Sequence, residues 1–130
     1  MTRKHEKLRV WQSAMELAVA TYRVTQRFPG VEQFGLIAQM RRSAVSIPSN
    51  IAEGYGRGTE ADRLRFLYIA RGSLLELETQ AALGGRLCYP EADTLQPLSE
   101  KVFAQLAALI SRMQGGAEQA SGIRRQASGV

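Results

Sequence analysis

Ile37, Met40, Ala44, Ile47, Ile51 and Tyr55 recur at steps of three or four along "GLIAQMRRSAVSIPSNIAEGYGR". At about 100° per residue they share one narrow arc, the pattern of a helix with one buried face. The series also crosses Pro48 without a jump in phase. Pro48 must remove the hydrogen bond to the Ala44 carbonyl and crowd it, so one long helix with a kink is predicted. Ser46 and Ser49 are placed to satisfy the freed groups. The alternative is a short break, with Asn50 as a new N-cap and Glu53 as its box partner. The helix is expected to begin near Glu32 and to reach Gly54 or beyond.

Three further stretches show the same period. From about Arg9 to Arg27, Trp11, Ala14, Met15, Ala18 and Tyr22 form one face, and Phe28-Pro29-Gly30 stops it. From about Glu60 to Leu87, Leu67, Ala70, Leu74, Leu77 and Ala81 keep bundle spacing, behind Thr59 and Asp62 at the spacing of a capping box. From about Leu95 to Met113 the stripe is Leu95, Leu98, Val102, Leu106, Leu109 and Met113. Asp93 or Thr94 is the expected cap there, and Pro97 falls in the first turn, where a missing N–H is harmless. No strand alternation and no internal repeat is present. The predicted fold is all-α: an antiparallel up-down-up-down four-helix bundle over residues 1–114, with a flexible C-terminal tail over 115–130.

The 130 residues suffice for one domain with a real core, and 45% of them are hydrophobic. The net charge is +5, carried almost entirely by arginine, since Lys4, Lys7 and Lys101 are the only lysines. Such a balance suits RNA, DNA or an acidic protein partner, and equally suits mere solubility. A lone Cys88 rules out an internal disulfide. The charged start lacks a signal-peptide core, and no apolar run approaches the roughly 18 residues that span a bilayer. A cytoplasmic location is expected.

On the second helix Arg42, Ser46, Ser49, Asn50, Glu53 and Arg57 gather nearly opposite the apolar arc. They read either as an ordinary solvated face, with Glu53 and Arg57 as an i,i+4 pair, or as a strip suited to phosphate, sugar or a second subunit. Arg41, Arg71 and Glu78 lie beside the apolar arcs, where charges are costly unless paired. A partly buried polar layer, between helices or at a subunit interface and fixing register, is expected of them. Phe34, Ala38, Val45 and Ala52 widen the apolar arc beyond what an edge helix needs, which an oligomer interface would cover.

Little supports an active site. His5 is the single histidine, which excludes a histidine general base and a multi-histidine metal site. Cys88 reads as packing rather than nucleophile, and "GYGRG" at Gly54 to Gly58 lacks both the spacing and the preceding strand of a dinucleotide fingerprint. "ELE" at Glu76 to Glu78 splays around a helix and makes a poor cation site. No cofactor is expected.

The blocks "LRVWQSAMELAVATYRVTQRFP", "FGLIAQMRRSAVSIPSNIAEGYGR" and "RFLYIARGSLLELETQ" resemble, in order, small four-helix-bundle proteins encoded within intervening sequences of bacterial large-subunit ribosomal RNA genes. The resemblance is dense from Leu8 to Gln80 and looser to Met113. It implies a homo-oligomer, with rings of five subunits in the family, and a likeness to the accessory variability protein of diversity-generating retroelements, which binds nucleic acid and a reverse transcriptase. No catalytic residue carries over. The motif positions are Arg41, Arg42, Ser46, Asn50, Glu53, Gly54 and Arg57, then Arg65, Arg71, Gly72, Ser73 and Glu76.

The expected function is therefore a non-enzymatic, homo-oligomeric binding protein that contacts RNA or other structured nucleic acid. The candidate residues are Arg41, Arg42, Ser46, Asn50, Glu53, Arg57, Arg65 and Arg71. No interleaved aromatic platform is apparent, so strong sequence specificity is not expected. The alternative is a scaffold that docks an acidic protein such as a polymerase.

Overall fold

The apolar stripes become four helices in a computed structural model that describes the backbone of residues 2–121 and the side chains of residues 2–115. They are α1 (Arg9–Thr25), α2 (Leu36–Tyr55), α3 (Glu60–Arg86) and α4 (Gln96–Ser121), and no strand forms among the described residues. α1 and α3 each pack against both α2 and α4. Leu17, Met40, Ile47, Ile51, Leu67, Leu74, Leu77, Val102 and Leu106 are fully buried in the shared core. Each large aliphatic there contributes on the order of 1.5–3 kcal/mol through removal from water.

α2 is continuous through Pro48, and the six residues of its predicted arc all turn inward, Tyr55 only half-buried. Asn50 therefore caps no new helix. Its amide Nδ2 donates to the Ser46 carbonyl at 2.8 Å and to Ser46 Oγ at 2.9 Å. The helix starts at Leu36 rather than near Glu32, because Glu32 sits in a 3-10 turn over Gly30–Glu32 and its carboxylate accepts the Leu36 N–H at 3.1 Å. The other Glu32 oxygen accepts the Tyr89 hydroxyl at 2.6 Å, tying the start of α2 to the turn after α3.

Thr59 caps α3 as expected, its hydroxyl accepting the Asp62 N–H at 3.2 Å. The predicted cap of α4 differs: Asp93 and Thr94 belong to a 3-10 turn over Ala92–Leu95, and the Thr94 hydroxyl donates to the Glu91 carbonyl. α4 itself extends past Met113 to Ser121, and most of the expected tail lies outside the described residues. Cys88 is exposed rather than packed.

The α2–α3 seam is built from small groups. Ser46 Oγ and Ser73 Oγ lie 2.8 Å apart, and Gln80 Nε2 reaches Gln39 Oε1 at 3.5 Å. A Cβ placed on Gly54 would stand 2.9 Å from the Phe66 Cβ and 3.1 Å from the Arg63 carbonyl. The α3–α4 seam differs, since a groove of about 760 Å³ opens there between the end of α3 and the start of α4. No described helix is long and apolar enough to cross a membrane.

Candidate nucleic-acid interface

Arginine and aromatic residues alternate in "RLRFLYIAR", and helical spacing brings them together beside the α2–α3 turn. Arg57 and Arg65 each hold their guanidinium carbon 4.6 Å from the centre of the Phe66 ring. Arg63 lies 4.3 Å over Tyr55, and Arg71 lies 4.8 Å over Tyr68. A stacked guanidinium gains about 0.5–1 kcal/mol at exposed sites and keeps its N–H edge free for an in-plane acceptor.

The charges are unevenly balanced. Arg57 pairs with Glu53 at 2.8 Å and approaches Asp62 at 4.0 Å, while Arg65 pairs with Asp62 at 3.1 Å. Exposed pairs of this kind are worth about 0–1 kcal/mol, so an incoming phosphate can displace them. Arg63, Arg71 and Arg112 make no ion pair among the described residues. The Arg63 Nε is buried without a hydrogen-bond partner. Burial pushes the Tyr55 hydroxyl above its usual range, against the opposing positive charge of Arg63 and Arg112.

The predicted site residues divide into three groups. Glu53, Arg57 and Arg65 meet around Phe66, with Arg71 further along α3. Ser46 and Asn50 are half-buried, Ser46 against Ser73 in the α2–α3 seam, so they are not part of a solvated strip. Arg42 is exposed, whereas Arg41 turns to α1. The Arg41 Nε donates to Thr25 Oγ1 at 2.9 Å, and its guanidinium lies 4.5 Å over Tyr22. Within one chain, Arg41, Arg71 and Glu78 thus form no common polar layer. Glu78 accepts a short hydrogen bond from the Ser99 hydroxyl of α4, and Arg71 stays on Tyr68. Among the other motif positions Ser73 is buried, while Gly72 and Glu76 are exposed.

Sequence reasoning missed Arg63, Arg112, Tyr55, Phe66 and Tyr68. The alternation of Arg63, Arg65, Phe66, Tyr68 and Arg71 was the available signal. These rings are covered by the chain's own guanidinium groups, which distinguishes them from an open platform for bases. No cluster of three metal-ligating side chains occurs among the described residues.

A model of the 23S rRNA-intervening sequence protein family matches residues 6–112, which takes in α1, α2, α3 and the larger part of α4. The chain belongs to this family. A solved structure of a protein with unknown function from the S23 ribosomal protein family, from Bacteroides thetaiotaomicron VPI-5482, is similar in fold. It is 24% identical, superposes with a TM-score of 0.72, and the match covers 78% of this chain and 95% of that one. A comparison with curated proteins finds no match. The intervening-sequence family assignment extends over the whole arginine–aromatic cluster, from Tyr55 to Arg112.

Proposed function

We propose that this intervening-sequence family member is a non-enzymatic, homo-oligomeric protein that contacts RNA or another structured nucleic acid through the arginines beside the α2–α3 turn. The observation that carries this reading is the set of four arginines laid on Phe66, Tyr55 and Tyr68. Held there, they meet phosphates with little loss of side-chain freedom. An antiparallel up-down-up-down bundle belongs to the same proposal. It is supported by the contacts of Gln39 with Gln80, Ser46 with Ser73 and Gly54 with Phe66, whose numbers rise along α2 and fall along α3. A bend of α2 at Pro48 is supported by the Asn50 amide, which takes up the Ser46 carbonyl in the preceding turn.

Self-association is supported by apolar groups on the outside of α1 and α2 and in the connection between them. Met15, Val19, Tyr22 and Val45 are each more than 40% exposed, and Phe34 is 90% exposed. Patches of this kind mark interaction surfaces.

The test is fluorescence anisotropy with a labelled structured ribosomal RNA fragment, at low and moderate salt. Binding is expected to weaken steeply with salt, because each neutralised phosphate releases counterions. Arg57→Gln/Arg65→Gln is expected to reduce affinity about tenfold or more, and Arg42→Gln to change it little. Absence of binding by the wild type at low salt would overturn the reading. Loss on Arg42→Gln alone would move the contact to the outer face of α2.

A further inference from the structure

Ala81, Ala82 and Gly85 put little more than backbone on the side of α3 that faces α4, and the groove of about 760 Å³ opens beside them. The 3-10 turn over Ala92–Leu95 closes one end of it. That turn sits so close to α3 that a Cβ added to Gly84 would stand 3.2 Å from the Ala92 Cβ. The volume is within the range of sites for compact organic ligands, and the closed end leaves no through-channel for a partner's helix.

The lining has an apolar part and an acidic part. Leu77, Ala92 and Leu95 are buried and form the floor, while Leu75 and Phe103 are exposed walls. Glu78, Asp93 and Glu100 add three carboxylates against one guanidinium, that of Arg86, on a chain whose net charge is +5. None of these four groups makes an ion pair among the described residues. Glu78 is half-buried and held in place, since it accepts a hydrogen bond from the hydroxyl of the buried Ser99. A half-buried carboxylate beside apolar groups is costly while it lacks a positive partner, and a ligand that brings one removes that cost. The same carboxylates repel phosphate, so the occupant differs in kind from that of the arginine cluster.

We propose that the α3–α4 groove binds a small organic cation with an apolar body, an amine or ammonium whose charge pairs with Glu78 and whose hydrocarbon lies among Leu77, Leu95 and Phe103. The site is separate from the arginines beside the α2–α3 turn and does not depend on the nucleic-acid reading.

Equilibrium dialysis of the full chain, freed of nucleic acid, tests this with two triarylmethane dyes: crystal violet, a cation, and bromophenol blue, an anion. The net charge of +5 favours the anion over most of the surface, so a preference for crystal violet reports the groove. Crystal violet is expected to bind at a single site, to be displaced by phenylbutylamine, and to resist spermidine, a cation with no apolar body. Glu78→Gln keeps an acceptor for Ser99 and is expected to weaken crystal violet about tenfold or more. Ala82→Arg, an exposed change on the lining, is expected to remove the site, and circular dichroism checks that both variants keep their helix content. Absence of saturable crystal violet uptake at about 1 mM protein overturns the site. Equal uptake of the two dyes, or uptake unchanged by either variant, does the same. Displacement by spermidine as effective as that by phenylbutylamine overturns the apolar half of the proposal. An affinity that falls as protein concentration rises would mean that a second copy of the chain fills the groove, and overturns it as well.

Discussion

Cys88 follows the last turn of α3 with φ at 63°, a left-handed conformation that a side chain occupies at a cost. The geometry is that of a Schellman stop. The Tyr89 N–H returns to the Gly84 carbonyl at 2.9 Å and the Cys88 N–H to the Gly85 carbonyl at 3.0 Å. Glycine is the usual residue at this point, so Cys88→Gly is expected to stabilise the fold by about 1 kcal/mol, read as a rise of a few degrees in the thermal midpoint. A lowered midpoint would assign the thiol a packing role that its exposure argues against. Nearby, the Tyr89 hydroxyl and then the Leu36 N–H hold the Glu32 carboxyl below its usual range. A depressed carboxylate contributes stability above its unfolded value, near 4.5, and loses it as pH falls through the lowered one. Chemical denaturation as a function of pH is therefore expected to show an acid limb that Glu32→Gln flattens. The same bond raises Tyr89, whose contribution is present below its unfolded value near 10.0 and lost as pH rises through the raised one.

At the scale of the element, glycine within a helix has two opposite meanings here. Gly54 in α2 leaves no room, since an added Cβ meets the Phe66 Cβ and the Arg63 carbonyl. Gly54→Ala must push α2 from α3 and is expected to cost about 1–3 kcal/mol. Gly72 in α3 has nothing within 4 Å of its added Cβ. Gly72→Ala is therefore expected to stabilise by about 0.5–1 kcal/mol through helix propensity alone, and urea unfolding of the pair should give opposite signs. Periodicity was enough to read all four helices, including the passage of α2 through Pro48, because burial of one face dominates over a single lost hydrogen bond. It could not place the start of α2, which depends on Glu32 reaching Leu36 and Tyr89, a contact across 57 positions. Nor could it separate the solvated part of the α2 strip from Ser46 and Asn50. A helical wheel gives their angle, but only the neighbouring helix decides that Ser46 faces Ser73. The arginine–aromatic cluster was missed for a related reason: Tyr55 was read as part of the apolar arc and Phe66 and Tyr68 lay outside the counted stripe, whereas their rings are where guanidinium groups lie.

Across the whole molecule, the proposed helix order sorts charge by end. Arg57, Arg63 and Arg65 at the α2–α3 turn share an end with Arg3, Lys4, Lys7 and Arg9 and outnumber the acids there, Glu6, Glu53, Glu60 and Asp62, whereas at the other end Arg27 and Arg86 stand against Glu32, Glu91 and Asp93. One copy presents a small number of guanidinium groups, enough for weak and strongly salt-dependent contact. Subunits of the homo-oligomer proposed above would present that end more than once, and each additional contact would form at the high effective concentration set by the first. The consequence is measurable. The neutral variant Met15→Gln/Val45→Gln, on the exposed apolar groups of α1 and α2, leaves every arginine in place, yet as a monomer it is expected to bind the same RNA about tenfold or more weakly, with a shallower dependence of affinity on salt. Arg57→Gln/Arg65→Gln should do the reverse, losing affinity while keeping the oligomer intact. If the Met15→Gln/Val45→Gln variant becomes monomeric and its affinity and salt dependence match the wild type, a single subunit carries the whole site, and assembly serves something other than nucleic-acid contact.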